Sequence, residues 1–211
     1  MFAQENRQNK VGENLGNPSF TNLNINNIST FFYNNGISDY SPEGNSGFYF
    51  PKGSNKTAVF SSGFLWGALV PGDPQPRVGG SSYRSGLQGG KIVSTMVAED
   101  PNANHVRIYR VRRDVYPGGP LTDLSSEIND EGKTEQEIRD QYEKDWLEWR
   151  AIDGAPFEDK NANGIYEPTI DIPGVVNADQ TIWYVANDLD AQRTTFLYGA
   201  NPLGLELQVT I

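Results

Sequence analysis

The 211-residue chain contains no cysteine and one histidine. Without thiols there are no disulfides and no thiolate metal sites. No apolar run approaches the length of a membrane-spanning helix. Basic residues are outnumbered, 17 Lys and Arg against 27 Asp and Glu, which leaves a net charge of −10. Such a surface repels nucleic acid and anionic membranes and suits a soluble protein that attracts cations. Apolar residues are also scarce, at 36%. What is abundant is Gly (22), Pro (13) and aromatic residues (11%). That mixture predicts a turn-rich, mostly β fold, β-sandwich-like and antiparallel, with α+β as the alternative. The length suffices for one large or two small domains.

Residues 1–27 read as a lead-in. Met1-Phe2-Ala3-Gln4 resembles the end of a secretory signal cut after Ala3, and residues 4–27 are rich in Asn, Gln and Gly. Residues 28–211 read as one β-rich domain, truncated in its last strand, Leu205–Ile211.

Within that span, Ile28–Tyr33, Phe48–Phe50, Thr57–Phe60, Gly63–Val70, Lys91–Val97, Val106–Arg112 and Gln180–Ala186 have the composition of strands. Gly63–Val70 is apolar at nearly every position and predicts a central strand. Val106–Arg112 alternates, with Arg110 and Arg112 on one face, and predicts a strand with one polar edge. Asn187–Ala191 reads as a polar turn, and Tyr116–Pro120 as a chain break. One amphipathic helix is predicted near 134–150. Thr134 and Glu137 fit a capping box, and Ile138, Tyr142, Trp146 and Trp149 form one apolar stripe.

One stretch speaks of chemistry. From Asp159, oxygen-bearing side chains recur at Asn161 and Asn163, and Gly164 follows at the sharp-turn position. This matches the first half of the EF-hand and dockerin type of calcium loop, where Ile165 offers its backbone carbonyl. That loop type asks for an acid at its twelfth position, which here is Ile170. Glu167 or Asp171 is left to close the site. Pro168 and Pro173 forbid an exiting helix, so the likeness stops at the loop. The expected ligand set for Ca2+ is Asp159, Asn161, Asn163, Ile165, Glu167 and Asp171, as a structural staple with a Kd on the order of 10⁻⁴–10⁻³ M or somewhat tighter. The competing reading is a turn whose Asn and Asp side chains cap their own backbone.

Other motifs fall short. Lys52–Thr57 lacks the first glycine of a phosphate-binding loop, and no helix follows Gly79-Gly80 or Gly89-Gly90 as a dinucleotide site requires. No Gly-x-Ser-x-Gly elbow occurs. His105 follows the loop Asp100–Asn104 with no evident partner. Trp66, Trp146, Trp149 and Trp183 lie in apolar strands or stripes and predict core positions more readily than a sugar-stacking surface.

Several segments in order carry a resemblance. They are Phe32–Gly36, Gly47–Thr57, Ser62–Gly67, Arg77–Gln88, Asp145–Trp149, Gly154–Pro156, the Asp159 loop, Ala178–Asp188 and Gly204–Glu206. Together they resemble the N-terminal region of large exported proteins of Bacteroidetes–Chlorobi type bacteria, many of which end in a sorting domain for type nine secretion. The resemblance spans most of residues 28–211 and implies a cell-surface or extracellular protein whose partner is the rest of a longer chain. Relatives of this type usually carry further Asp in the metal loop, where this chain has Asn161 and Asn163. The motifs of the resemblance imply no particular activity. The expectation is a non-enzymatic structural or interaction module with a calcium-stabilised loop, touching surface polysaccharide or other surface proteins. A carbohydrate-binding or glycoside-hydrolase-like module is the alternative.

Overall fold

A computed structural model describes residues 19–115, 119–121 and 123–211. The chain runs β1 (Phe20–Leu23), β2 (Thr30–Tyr33), β3 (Phe48–Tyr49), β4 (Thr57–Val59), β5 (Leu65–Ala68), β6 (Arg77–Gly80), β7 (Gln88–Gly89), β8 (Ile92–Ser94), β9 (Val97–Ala98) and β10 (Tyr109–Arg112). Helices α1 (Ser125–Glu131) and α2 (Glu135–Leu147) follow. Then come β11 (Phe157–Glu158), β12 (Ile172–Pro173), β13 (Gln180–Asn187), α3 (Ala191–Tyr198) and β14 (Glu206–Thr210). The fold is mostly β and its strand pairings are antiparallel, as its composition implies.

Strand β13 organises the core. Its eight residues are all buried. On one side it pairs with β14, from Trp183↔Thr210 to Asn187↔Glu206. On the other it pairs with β10 through Trp183↔Tyr109 and with β7 through Ala186↔Gly89. Its period-two alternation splits the core into two layers. Trp183 and Val185 pack with Tyr109, Val111, Trp149 and Ala155. Ile182, Tyr184 and Ala186 pack with Leu87 and Ile108. A third cluster gathers Val115, Leu121, Leu124, Ile138, Tyr142 and Trp146 around α2. Each large buried side chain contributes roughly 1.5–3 kcal/mol relative to exposure. Among the described residues, five two-stranded ribbons accompany this frame.

Helix α2 starts as its cap predicts. The Thr134 hydroxyl accepts the Glu137 amide at 3.3 Å, and the Glu137 carboxylate accepts the Thr134 amide at 2.8 Å. The helix ends earlier than 150, at Leu147, yet Trp149 remains buried and donates its Nε1–H to the Pro156 carbonyl at 2.8 Å.

Several expectations need correction. Strand β1 lies inside the supposed lead-in, with Asn22 and Asn24 buried beside it. The signal-like start at residues 1–4 lies outside the described residues, as do Tyr116–Gly118 of the expected chain break. Lys91–Val97 is a hairpin, not one strand, since Met96 takes a left-handed φ of 58° between β8 and β9. Asn187–Ala191 leads into α3, capped by Asp190, whose carboxylate accepts the Arg193 amide. Gly63–Val70 is not central. Its β5 forms a two-stranded ribbon with β6.

The arginines of β10 are not at a polar edge. Arg110 is 3% exposed and donates to the Asn22 side chain and carbonyl, with Glu131 at 2.6 Å and the Tyr142 ring beneath its guanidinium. Arg112 meets Glu127 at 2.9 Å and Asp114 at 2.8 Å. Glu127 also accepts the Tyr142 hydroxyl, which accepts from Gln180. Helix α1, absent from the sequence reading, supplies the two glutamates that make this burial tolerable.

Candidate functional site

The stretch 159–171 is a loop closed by the β11–β12 pair, in which Glu158 faces Ile172. The core fixes its second half. The Tyr166 hydroxyl donates to the Trp146 carbonyl at 2.7 Å, and Trp146 Nε1–H donates to the Pro168 carbonyl at 2.9 Å. The end of α2, though remote from an EF-hand's entering helix in sequence, therefore clamps the loop.

Inside, the side chains fold the backbone around themselves. Asp159 accepts the amides of Gly164 at 2.7 Å and Asn163 at 3.2 Å. Asn161 Oδ1 accepts the Asn163 amide, and Asn163 Oδ1 accepts the Ile165 amide at 2.7 Å. The tight path needs left-handed backbone at Ala162 (φ 58°) and Gly164 (φ 75°). Glycine reaches that region without strain, which explains its place in the motif. The backbone-capping interpretation of these residues is thus realised.

The two asparagine amides meet at one point. Asn161 Nδ2 and Asn163 Nδ2 each donate to Glu167 Oε2 at 2.7 Å. Asp171 lies beneath them, 2% exposed, with its oxygens taken by the amides of Lys160 at 2.9 Å and Glu167 at 2.7 Å. Five of the six expected ligands therefore form one hydrogen-bonded unit. The sixth, Ile165, adds its amide to that unit and exposes its side chain. Glu167 faces the amides, whereas Asp171 anchors the loop from below.

The electrostatics of this unit are lopsided. Among the described residues no Lys or Arg side chain forms an ion pair with Asp159, Glu167 or Asp171; the one lysine of the loop, Lys160, turns its ammonium to Glu158. The Gly164 amide, with others of the turn, holds the Asp159 carboxyl below its ordinary pKa of 3.8. Three anionic groups, two amides that present oxygen after a half-turn and a rigid clamp suit a hard cation. Among the described residues no three Asp, Glu, His or Cys side chains are already gathered as a metal cluster. Amide oxygens would have to complete any such shell.

A second polar site escaped the sequence reading. His105 does have a partner, since its Nε2 lies 2.6 Å from Glu99 Oε1 across the Asp100–Asn104 turn. They edge a pocket of about 20 Å³ lined also by Lys91, Arg107, Arg150, Asp153 and Trp183. That space holds about one water. Its charges are mutually occupied: Asp153 pairs with both Lys91 and Arg150, and Arg107 with Asp145 and Glu148. The signal available in the sequence was an acid six residues before the lone histidine.

Trp146, Trp149 and Trp183 are buried, with Trp66 half-buried against the Leu87–Ile182–Tyr184 cluster. Comparison with protein-family models, curated proteins and solved structures gives no match. No helix among the described residues is long and apolar enough to cross a membrane.

Proposed function

We propose that this chain is a non-enzymatic extracellular or cell-surface module, structural or adhesive in role, whose loop 159–171 is stapled by Ca2+. The observation that carries the cation is the uncompensated charge of Asp159, Glu167 and Asp171 within one clamped loop. A divalent ion would take the place of the two Nδ2 donors on Glu167. Asn161 and Asn163 would then turn their Oδ1 atoms inward, joined by Asp159 and the Ile165 carbonyl. Two of those ligands are neutral amides, so affinity is modest and the ion serves stability more than signalling. The surface location rests on the family resemblance of the sequence. Burial of three tryptophans supports this reading over a sugar-stacking platform.

Thermal unfolding in millimolar calcium and in chelator tests the staple. A ligand that binds only the folded state raises stability by roughly 2.3 kcal/mol at fifty times its Kd. An unchanged midpoint at about 5 mM calcium, some fifty times a Kd of about 10⁻⁴ M, removes the staple.

A further inference from the structure

The β5–β6 ribbon has one face on the core and one in water. Leu65, Gly67 and Leu69 point outward, and the register places Val78 opposite Gly67 on that same face. Leu65 is 81% exposed, Leu69 83% and Val78 48%. At the ribbon's base Phe60 and Tyr83 stack with ring centroids 6.1 Å apart, and both are exposed. Glycines flatten the structure. A Cβ at Gly79 would lie 2.5 Å from the Trp66 ring and one at Gly80 2.7 Å from Leu65. The chain has thinned one strand so that large apolar groups lie across it. A contiguous apolar face of this kind marks an interaction surface.

Charge indicates what covers it. Residues 44–98 hold five basic residues (Lys52, Lys56, Arg77, Arg84 and Lys91) against Asp73 alone, a net of +4. The remaining chain then has 12 basic and 26 acidic residues, a net of −14. Lys56 and Arg84 are exposed and enter no ion pair among the described residues. The segment 157–179 is the counterpart. It carries Glu158, Asp159, Glu167, Asp171 and Asp179 against Lys160, a net of −4; Asp171 is buried and Glu158 pairs with Arg113 and Lys160, so Asp159, Glu167 and Asp179 are the acids left to face a partner. It too exposes apolar side chains, at Ile165, Ile170, Val175 and Val176. The two surfaces are held by different core clusters. Trp66 seats the ribbon on the Leu87–Ile182–Tyr184 cluster, and Phe157 and Tyr166 seat the acidic segment on the Tyr109–Trp183 cluster.

We infer that the occupant of the ribbon face is the acidic 157–179 surface of a second copy of this chain. Two different patches meeting make a heterologous contact, which propagates head to tail until it closes into a ring or extends as a filament. Apolar contact and the opposite charges together supply the attraction, and the charges also set the register. The inference deepens the adhesive reading above without needing the cation, so it is tested in chelator.

Sedimentation equilibrium of the full chain in chelator, up to about 200 µM, reads the outcome. The wild type should exceed its monomer mass of 23.4 kDa and fall back toward it between about 50 mM and about 500 mM salt. Leu65→Asp with Leu69→Asp should remain monomeric, as should Ile165→Asp with Ile170→Asp. These side chains are exposed, so the substitutions leave the fold intact, which circular dichroism verifies. Equal amounts of the two variants, each with one intact face, should form dimers and nothing larger. Arg84→Glu should weaken wild-type association about tenfold. A wild type that stays at 23.4 kDa overturns the inference, whether or not the ribbon binds vesicles or another protein. So do variants that associate like wild type, or a mixture that stays monomeric.

Discussion

Six carboxylates of this chain fall into two sets that obey different rules. Glu127, Glu131 and Asp145 are buried between β10 and the two middle helices, and each meets a guanidinium: Arg112, Arg110 and Arg107 in turn. Asp159, Glu167 and Asp171 sit in a loop and meet only amides. The first set is internally neutralised and leaves nothing for a ligand to do. The second keeps its charge, and keeps it in a loop that the core clamps rigid. The contrast is the ground for placing the proposed cation at the second set.

Breaking the first set should have the largest effect. Arg110→Met takes the guanidinium from buried Glu131 and leaves it only the Lys133 ammonium at 2.8 Å, and loss of one member of a buried pair costs about 3–5 kcal/mol. Urea unfolding should show that loss, and a change under about 1 kcal/mol would mean the seam is solvated. In chelator, Glu167→Gln should move stability by no more than about 0.5 kcal/mol, since this half-buried group meets only two side-chain amides and no charged partner. Similar costs at both sites would erase the distinction.

The ribbon gives an intermediate test. Gly79→Ala drives a Cβ into the Trp66 ring, and overpacking of that kind costs about 1–3 kcal/mol. Gly164→Ala has nothing within 4 Å and carries only the strain of its left-handed φ, about 1 kcal/mol. Unfolding curves of the two variants should rank in that order.

The smallest effect is one of protonation. The Gly164 amide depresses the Asp159 pKa in the folded state, so the associated stability is present above the unfolded value and is lost as pH falls through the folded one. An NMR titration of the Asp159 carboxyl should give a midpoint below 3.8. A midpoint at or above that value would show that the turn does not hold its carboxylate.

Much of this was legible in the sequence. The α2 cap, the β13 strand with Trp183 in the core and the turn at Gly164 follow from local patterns that tertiary structure had no reason to override. The ribbon misled because an apolar run reads as central. Its partner strand offers Gly79 and Gly80, which cannot build a second layer over it. The β10 arginines misled for want of α1. That helix has seven residues, no side-chain cap at Leu124 and no apolar stripe long enough to announce itself. Within the loop, spacing named the residues but not their ranks. Only the geometry separates Glu167, which faces the amides, from the buried Asp171 that anchors them.

The central claim is that the loop carboxylates await a cation, and calorimetric titration of the chelator-treated chain with calcium tests it most directly. One site per chain with a Kd on the order of 10⁻⁴–10⁻³ M or somewhat tighter is expected, weakened at least tenfold by Glu167→Gln and by Asp159→Asn. No binding heat at any temperature, or a Kd unmoved by both substitutions, would contradict it.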